Sequence, residues 1–358
     1  MYAKLKILIA FILLMQVMGC KEKNQNKNKM TQEEFSYMVT VTAPEEYTVE
    51  VNIGYLLDKN KKLICGMPRA GQVSSGWQYD GSKAGMGGSA IPHHLNLTYI
   101  AFAEKKVYTI DADLPADKIL EALRKGYDRE ERNGSIVHET YDVLTVGAAP
   151  GGVIVVWLSG NNNRTDICRL QAKETDIQDP IEFSKSMGWS IDGKNIQTKT
   201  LFFDYVYQTL PDSIKTNIAK NGIPYGKWDK YREQYKYRFV LKPYDEKDVF
   251  THNYYLYYNG EADEVLRTEL DKKEYMEKGI PYTCNFIFTR YSTEIVFNDQ
   301  EMLRVFSKFK TKYPDKPIDI VIIPTFNYDD MKVSVKCENE EIKLERYKVV
   351  GVWGGYYS

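Results

Sequence analysis

The sequence predicts a β-rich α+β fold built from two tandem units, each an antiparallel sheet with one packed helix. Most periodic segments alternate apolar and polar residues, as half-buried strands do, and only short helical segments interrupt them. The order strand, strand, helix, strand, strand, strand occurs twice along the chain, which is typical of a tandem duplication. We place the first unit at residues 35–190, a connecting segment with a short helix at 191–234, and the second unit at 235–358.

In the first unit, residues 47–55 alternate cleanly, and residues 95–104 and 107–111 predict a hairpin. Pro115 opens a helix, because proline is tolerated at the first helical position. Apolar residues recur in this helix at the spacing of one face, namely Ile119, Leu120, Leu123 and Tyr127. Three further strands are predicted at 141–146, 153–158 and 165–173.

The second unit repeats this order. Residues 285–297 predict a hairpin, and Asn298 caps a helix in which Glu301 completes a capping box. The buried stripe of this helix is Met302, Leu303, Phe306 and Phe309. Three strands follow at 318–323, 331–337 and 341–349. Chance agreement of a common pattern is the alternative to duplication, because identities between the halves are sparse.

Tyrosine is unusually frequent, with 28 residues, and it is dense in the segment 254–261. Successive side chains of a strand alternate between its faces, so these tyrosines cannot all face one core. Exposed aromatic residues often take part in recognition. The alternative is that these tyrosines only favour strand formation, in a sheet that has one face exposed to solvent. The candidate binding residues are Trp77, Trp157, Tyr255, Tyr257 and Trp353.

Composition restricts the class of protein. The net charge is -1, with 27% charged and 43% hydrophobic residues, which is typical of a soluble globular domain. Without a Lys/Arg cluster we expect no nucleic-acid partner. Cys65, Cys168, Cys284 and Cys337 are widely spaced and form no CxxC, so we favour free buried thiols over disulfides and expect no metal site and no cofactor.

No catalytic residue set is predicted. The glycines of 147–152 lie between two strands and lack the lysine of a phosphate loop, so a tight hairpin is favoured. Ser74 and Ser75 have no GxSxG frame. Asp111 and Asp113 would share a strand face, although Asp113 fits better as the cap of the following helix.

The N-terminus predicts export and lipidation. Lys4 and Lys6 precede an apolar run at 7–15, and Val17-Met18-Gly19-Cys20 fits a lipobox, which predicts a signal peptide at 1–19 and lipidation of Cys20. A plain secretory signal or an uncleaved anchor helix is the alternative, but the run is short for a membrane span. Residues 20–34 then form a flexible tether, because the Lys/Asn/Gln-rich stretch 21–32 has too little apolar surface to order itself. Lys21 is not the aspartate that retains some lipoproteins in an inner membrane, which favours the outer membrane.

Several motifs resemble those of a known family. They are Ala43-Pro44 before 47–51, Gly76-Trp77, Ile91-Pro92 before 95–97, Glu104 with Val107-Tyr108, Leu114-Pro115, Gly126-Tyr127, the run 146–157, 170–172 and 258–261. The chain thereby resembles the bacterial lipoproteins grouped as domain of unknown function 2931, although Tyr99 stands where many members have tryptophan. The resemblance implies an envelope lipoprotein of uncharacterised activity, some relatives of which are neighbours of contact-dependent toxin systems.

Together these features favour a membrane-tethered binding module for a protein or a glycan of the cell envelope. The alternatives are a periplasmic immunity-type protein that neutralises a toxin and, less favoured, a hydrolase. A toxin-like gene beside the gene of this protein would favour the immunity-type protein, and a deep cleft lined by convergent acidic residues would favour the hydrolase.

We predict that Cys20→Ser releases the protein from the membrane fraction or leaves its signal peptide uncleaved, because the thiol is the acyl acceptor of the lipobox. Fractionation and labelling with a radioactive fatty acid measure this. Unchanged mobility and partitioning, with no label in the wild type, would contradict lipidation.

Overall fold

The computed structural model describes residues 35–87, 90–131, 134–245, 249–270, 274–288, 291–325 and 330–354, in which strands form three large sheets and a two-stranded ribbon. The predicted signal peptide, Cys20 and the tether lie outside these residues. The described residues from Phe35 onward form one compact unit. Among the described residues, no helix has both the length and the apolar composition needed to cross a bilayer.

The first set of strands forms two sheets and one helix. Its elements are β1 (Tyr37–Thr42), β2 (Val49–Leu57), β3 (Leu63–Gly66), β4 (Gln72–Val73), β5 (Ala84–Gly87), β6 (His94–Ala101), β7 (Lys106–Asp113), α1 (Ala116–Lys125), β8 (Tyr127–Glu130), β9 (Ile136–Glu139), β10 (Val143–Ala149), β11 (Val153–Gly160), β12 (Asn163–Gln171) and β13 (Lys173–Thr175). One sheet has the order β13-β7-β6-β2-β3, with β4 also beside β2. The strands of the other are ordered β5-β1-β10-β11-β12, and β1 runs parallel to β10.

Short helices follow. They are α2 (Pro180–Ser186), α3 (Lys199–Gln208), α4 (Asp212–Asn221) and α5 (Lys227–Tyr231), with a 3₁₀ turn at Gly193–Asn195. The sequence predicted only α4 within 191–234. It missed α3 because its apolar residues do not form one clean stripe, although Phe202 and Val206 are buried and Thr198 caps its first turn.

The second set of strands begins at Tyr235. Its elements are β14 (Tyr235–Leu241), β15 (Phe250–Tyr257), β16 (Ala262–Leu266), α6 (Arg267–Leu270), β17 (Met276–Lys278), β18 (Pro281–Phe288), β19 (Tyr291–Phe297), α7 (Asp299–Lys312), β20 (Ile318–Pro324), β21 (Met331–Cys337), β22 (Glu340–Lys343) and β23 (Tyr347–Gly354).

The two sets of strands have the same topology. The order β13-β7-β6-β2-β3 corresponds to β23-β19-β18-β15-β16, and β5-β1-β10-β11-β12 corresponds to β17-β14-β20-β21-β22. The parallel pair β1/β10 recurs as β14/β20, and the amphipathic helix follows β7 in one set and β19 in the other. The predicted α+β class is therefore confirmed, and the matching strand orders agree with the prediction of two related units. One detail is corrected: each unit contains two sheets, one of them with a parallel pair, and not a single antiparallel sheet.

The helices of the two units occupy matching environments. Ile119 and Leu123 of α1 are buried and Leu120 is half-buried, while Met302 and Phe306 of α7 are buried and Leu303 is half-buried. Each helix therefore presents the same face to its own unit, as the sequence predicted.

The cap of α7 differs in one respect from the predicted capping box. Asn298 Oδ1 accepts the backbone N–H of Glu301 at 3.1 Å, as expected. The Glu301 carboxylate, however, accepts backbone N–H groups of Glu345 and Arg346, so it fastens the β22–β23 connection to the helix.

The two units meet in one ten-stranded sheet. The edge strand β12 of the first unit lies beside the edge strand β16 of the second, and the only residues paired between these two strands are Arg164 and Ala262. Each unit keeps its own five strands together in this sheet. All four cysteines after Cys20 are free, three of them buried and Cys168 half-buried, as the sequence predicted.

Phe306→Ala should lower the free energy of unfolding by about 3–5 kcal/mol, because the ring is fully buried and packs edge-on against Tyr235 and Tyr237. Leu303→Ala, on the half-buried flank of the same helix, should cost less than half as much. Urea unfolding measures both. Equal losses would contradict the described orientation of α7.

Candidate functional site

The structure places four of the five predicted binding residues in the core. Trp77, Trp157, Tyr255 and Tyr257 are buried within the hydrophobic core, which corrects the prediction that they form an exposed recognition surface. Trp353 on β23 has 46% of its surface exposed and remains a candidate. The alternation of β15 was recognised, but the sequence does not reveal that the face bearing Tyr255 and Tyr257 is the one that packs inward.

Trp157 has a structural role at the junction of the two units. Its ring packs edge-on against Trp77 at 4.8 Å between centroids. Gly147 and Gly260 leave space for it, since a Cβ at these positions would lie 2.4 and 2.7 Å from its ring atoms. Gly260 belongs to the second unit, so this packing joins the units beside the single pair between β12 and β16.

A cleft with a cavity volume of about 440 Å³ lies at this junction. Polar side chains from both units line it. Those that matter for its chemistry are Tyr79, Asp80, Ser159, Arg164, Asn285 and Glu294. A volume of this size lies within the range of small-molecule sites.

The wall from the second unit is a row of directly paired residues. Tyr254 lies opposite Asn285, and Asn285 lies opposite Glu294, on β15, β18 and β19. The neighbouring positions Cys284 and Ile295 point into the core, since strand side chains alternate. Burial raises the pKa of Glu294. The row therefore offers an amide and a carboxylate to the cleft.

The duplication places an equivalent row on the first unit. Tyr55 pairs with Asn96 and Asn96 pairs with Asp111, on β2, β6 and β7. There Asp111 is exposed and contacts His94, which lowers the pKa of Asp111 through a hydrogen bond. The second-unit row alone lines the described cleft.

The wall from the first unit contains Asp80. Its Oδ1 accepts hydrogen bonds from the hydroxyl groups of Thr145 at 2.6 Å and Ser159 at 3.1 Å. Its Oδ2 lies 3.9 Å from Lys83 Nζ. Tyr79, beside it, keeps 46% of its surface exposed and supplies an aromatic face.

Arg164 is the most unusual residue of the cleft, with only 4% of its surface exposed. Its guanidinium carbon lies 4.1 Å from the centroid of the Trp157 ring, and Nη1 donates one long hydrogen bond of 3.4 Å to the Trp77 carbonyl. Nε and Nη2 are buried and have no hydrogen-bond partner. Burial lowers the pKa of Arg164 to about 10, so the side chain stays charged at neutral pH.

Two amide groups beside Arg164 are also incompletely bonded. Asn163 Nδ2 and Asn285 Oδ1 are buried without a partner, although Asn163 Oδ1 accepts the backbone N–H of Glu264. Buried polar groups are nearly always hydrogen-bonded, so several unpaired groups around one cleft indicate that something polar completes them.

The other sequence candidates do not converge on a catalytic centre. His94 contacts both Asp111 and Asp113, and its Nδ1 lies 2.8 Å from Asp113 Oδ1. Asp113 was expected to cap α1, but no described side chain forms a hydrogen bond to the first turn of that helix. Residues 147–152 connect β10 to β11 as a hairpin, with positive φ at Gly151 and Gly152. Within the described ranges, no group of three or more His, Cys, Asp or Glu residues could hold a metal ion.

The fold and the cleft define a duplicated, strand-rich α+β domain with a polar site between its units. The chain belongs to the family described as "Protein of unknown function (DUF2931)", whose model matches residues 22–226. The match includes the first unit and helices α2 to α4, and it ends just before α5. No curated protein and no solved structure matches the chain.

Arg164→Met should leave the free energy of unfolding unchanged or raise it by about 1–2 kcal/mol, because it removes a buried charge that lacks a carboxylate partner. Arg232→Met is the matched control and should lose about 1–3 kcal/mol, since Asp166 then loses its bidentate partner. Urea unfolding compares them. If Arg164→Met lowers the free energy of unfolding as much as Arg232→Met does, Arg164 has a structural role in stabilising the fold.

Proposed function

We propose that this protein is a cell-envelope lipoprotein whose lipidated Cys20 holds it at the outer membrane and whose two-unit domain binds a glycan in the junction cleft. The lipobox and the lysine- and asparagine-rich stretch after it support the anchored location. Two or three acyl chains on Cys20 would make the attachment effectively permanent, at about 0.8 kcal/mol for each buried methylene.

The observation that carries the binding function is the set of unpaired polar groups around the cleft. Arg164 and Asn163 offer hydrogen-bond donors, while Asp80 and Glu294 offer carboxylate acceptors. A molecule with many hydroxyl groups can both donate and accept, so it matches a mixed lining of this kind. The exposed face of Tyr79 suits the apolar face of a sugar ring.

A glycan fits this site better than a protein surface does. A stable protein interface needs roughly 800 Å² of contiguous surface on each partner, with aromatic or arginine anchors at its centre. Here four of the five predicted aromatic anchors are in the core, and Arg164 lines a recessed cleft. A small recessed polar site therefore favours one or two sugar units of a larger polysaccharide.

The duplication supplies a matched test. Asn285→Ala should weaken sugar binding by about 3- to 10-fold, because it removes one hydrogen-bonding group from the cleft. Asn96→Ala changes the equivalent residue of the first unit, outside the cleft, and should leave binding unchanged.

The measurement is intrinsic tryptophan fluorescence, to which Trp77 and Trp157 beside Arg164 contribute. Residues 21–358 are titrated with a panel of neutral, amino and acidic mono- and disaccharides. A saturable change with at least one sugar is expected. If no sugar gives one, or if both asparagine variants behave alike, the glycan-binding function is wrong.

A further inference from the structure

The unpaired edge of Arg164 has a defined geometry. Nε and Nη2 lie on the same side of a guanidinium group and can donate two parallel hydrogen bonds. Two other arginines of this protein use this edge for a carboxylate: Arg169 bonds Asp229 at 2.8 and 2.9 Å, and Arg238 bonds Asp319 at 2.7 and 3.4 Å. In Arg164 this edge has no acceptor.

The carboxylates near Arg164 are engaged elsewhere. Asp166 forms a bidentate pair with Arg232, and Asp80 Oδ1 accepts the hydroxyl groups of Thr145 and Ser159. The guanidinium is meanwhile held in position, because it lies over the Trp157 ring. A fixed, charged and unpaired bidentate donor is suited to an acceptor that arrives from outside.

The remaining charges of the cleft limit what this acceptor can be. Lys83 Nζ lies 3.9 Å from Asp80 Oδ2, and Arg164 is the cationic side chain among the lining residues, where it stands with the two carboxyl groups of Asp80 and Glu294. A doubly charged phosphate would be repelled by them, whereas a single carboxylate would satisfy Arg164. Asp80, Glu294 and Asn285 can then accept hydrogen bonds from hydroxyl groups of the same molecule.

We propose that the junction cleft selects an acidic sugar, a uronic acid unit whose carboxylate binds Nε and Nη2 of Arg164 and whose hydroxyl groups bind the carboxylates and the amide of the cleft. This inference rests on the proposed glycan-binding function and adds the chemical class of the sugar. Asn163 Nδ2, another unpaired donor among the residues that line the cleft, is available to a hydroxyl group of the sugar.

The experiment compares D-glucuronate and D-galacturonate with D-glucose and D-galactose, by isothermal titration calorimetry on residues 21–358 and on its variants. The wild type should bind a uronate about 10- to 100-fold more tightly than the matching neutral sugar, because two charge-assisted hydrogen bonds are gained. Arg164→Met should lose this preference while neutral-sugar binding persists. Arg164→Lys should restore only part of it, since lysine keeps the charge but lacks the bidentate edge.

A second variant keeps the proposal testable if Arg164→Met folds poorly. Glu294→Gln should bind the uronate several-fold more tightly at pH 7, because a repelling carboxyl group becomes an amide. A purely structural role of Glu294 would not produce this gain. Near-ultraviolet circular dichroism, which reports the packing of the aromatic side chains, checks that each variant is folded.

The outcomes separate the two proposals. Equal binding of uronate and neutral sugar in the wild type, or no response to Arg164→Met and Glu294→Gln, would overturn the acidic-sugar inference and leave glycan binding intact. Acetate or inorganic phosphate binding as tightly as uronate would also overturn it, since the site would then recognise an anion without its sugar. If none of the sugars binds, the proposed function fails as well.

Discussion

The packing of Trp157 at the junction is the constraint on which the rest of the structure depends. Among the described strands, pairing between the units is limited to Arg164 and Ala262, so backbone hydrogen bonds contribute little to holding the units together. The indole ring fills the space that Gly147 and Gly260 leave open, one from each unit. It also supports the guanidinium of Arg164, so the contact that joins the units is the one that orients the charged group of the cleft.

The repeated topology explains why a row of tyrosine, asparagine and an acidic residue occurs twice. The two rows differ in environment because only the row of the second unit adjoins the junction. In the first unit the acid is exposed and has His94 as a partner. In the second unit Glu294 is half-buried, and the loop carrying Tyr79 and Asp80 contributes the facing wall. The same local sequence pattern thus acquires a different electrostatic environment because only one of its copies adjoins the junction.

Local patterns predicted much of this fold. Alternation located β6, β7 and β10 to β12, and apolar spacing located both amphipathic helices and even the half-buried positions Leu120 and Leu303. The parallel pairs β1/β10 and β14/β20 were missed, because they join strands far apart in the chain and no local period encodes them. Arg164 was missed for a similar reason: one arginine in a strand looks like any solvated charge until a distant tryptophan and a second unit cover it.

The sheet edges used at the junction recur elsewhere in the duplicated topology. β12 and β16 meet there, and their counterparts β22 and β3 stand at the outer edges of the described sheets. Each unit thus has two edge strands that can pair with the edges of neighbouring units, as the repeats of a linear array do. A further repeat could therefore be added by the same strand pairing without a change in the fold of the unit. Glu340, Glu341 and Lys343 on β22 oppose such growth between separate molecules, because charged side chains discourage edge-to-edge strand addition. That protection keeps neighbouring copies of the protein from polymerising through this edge.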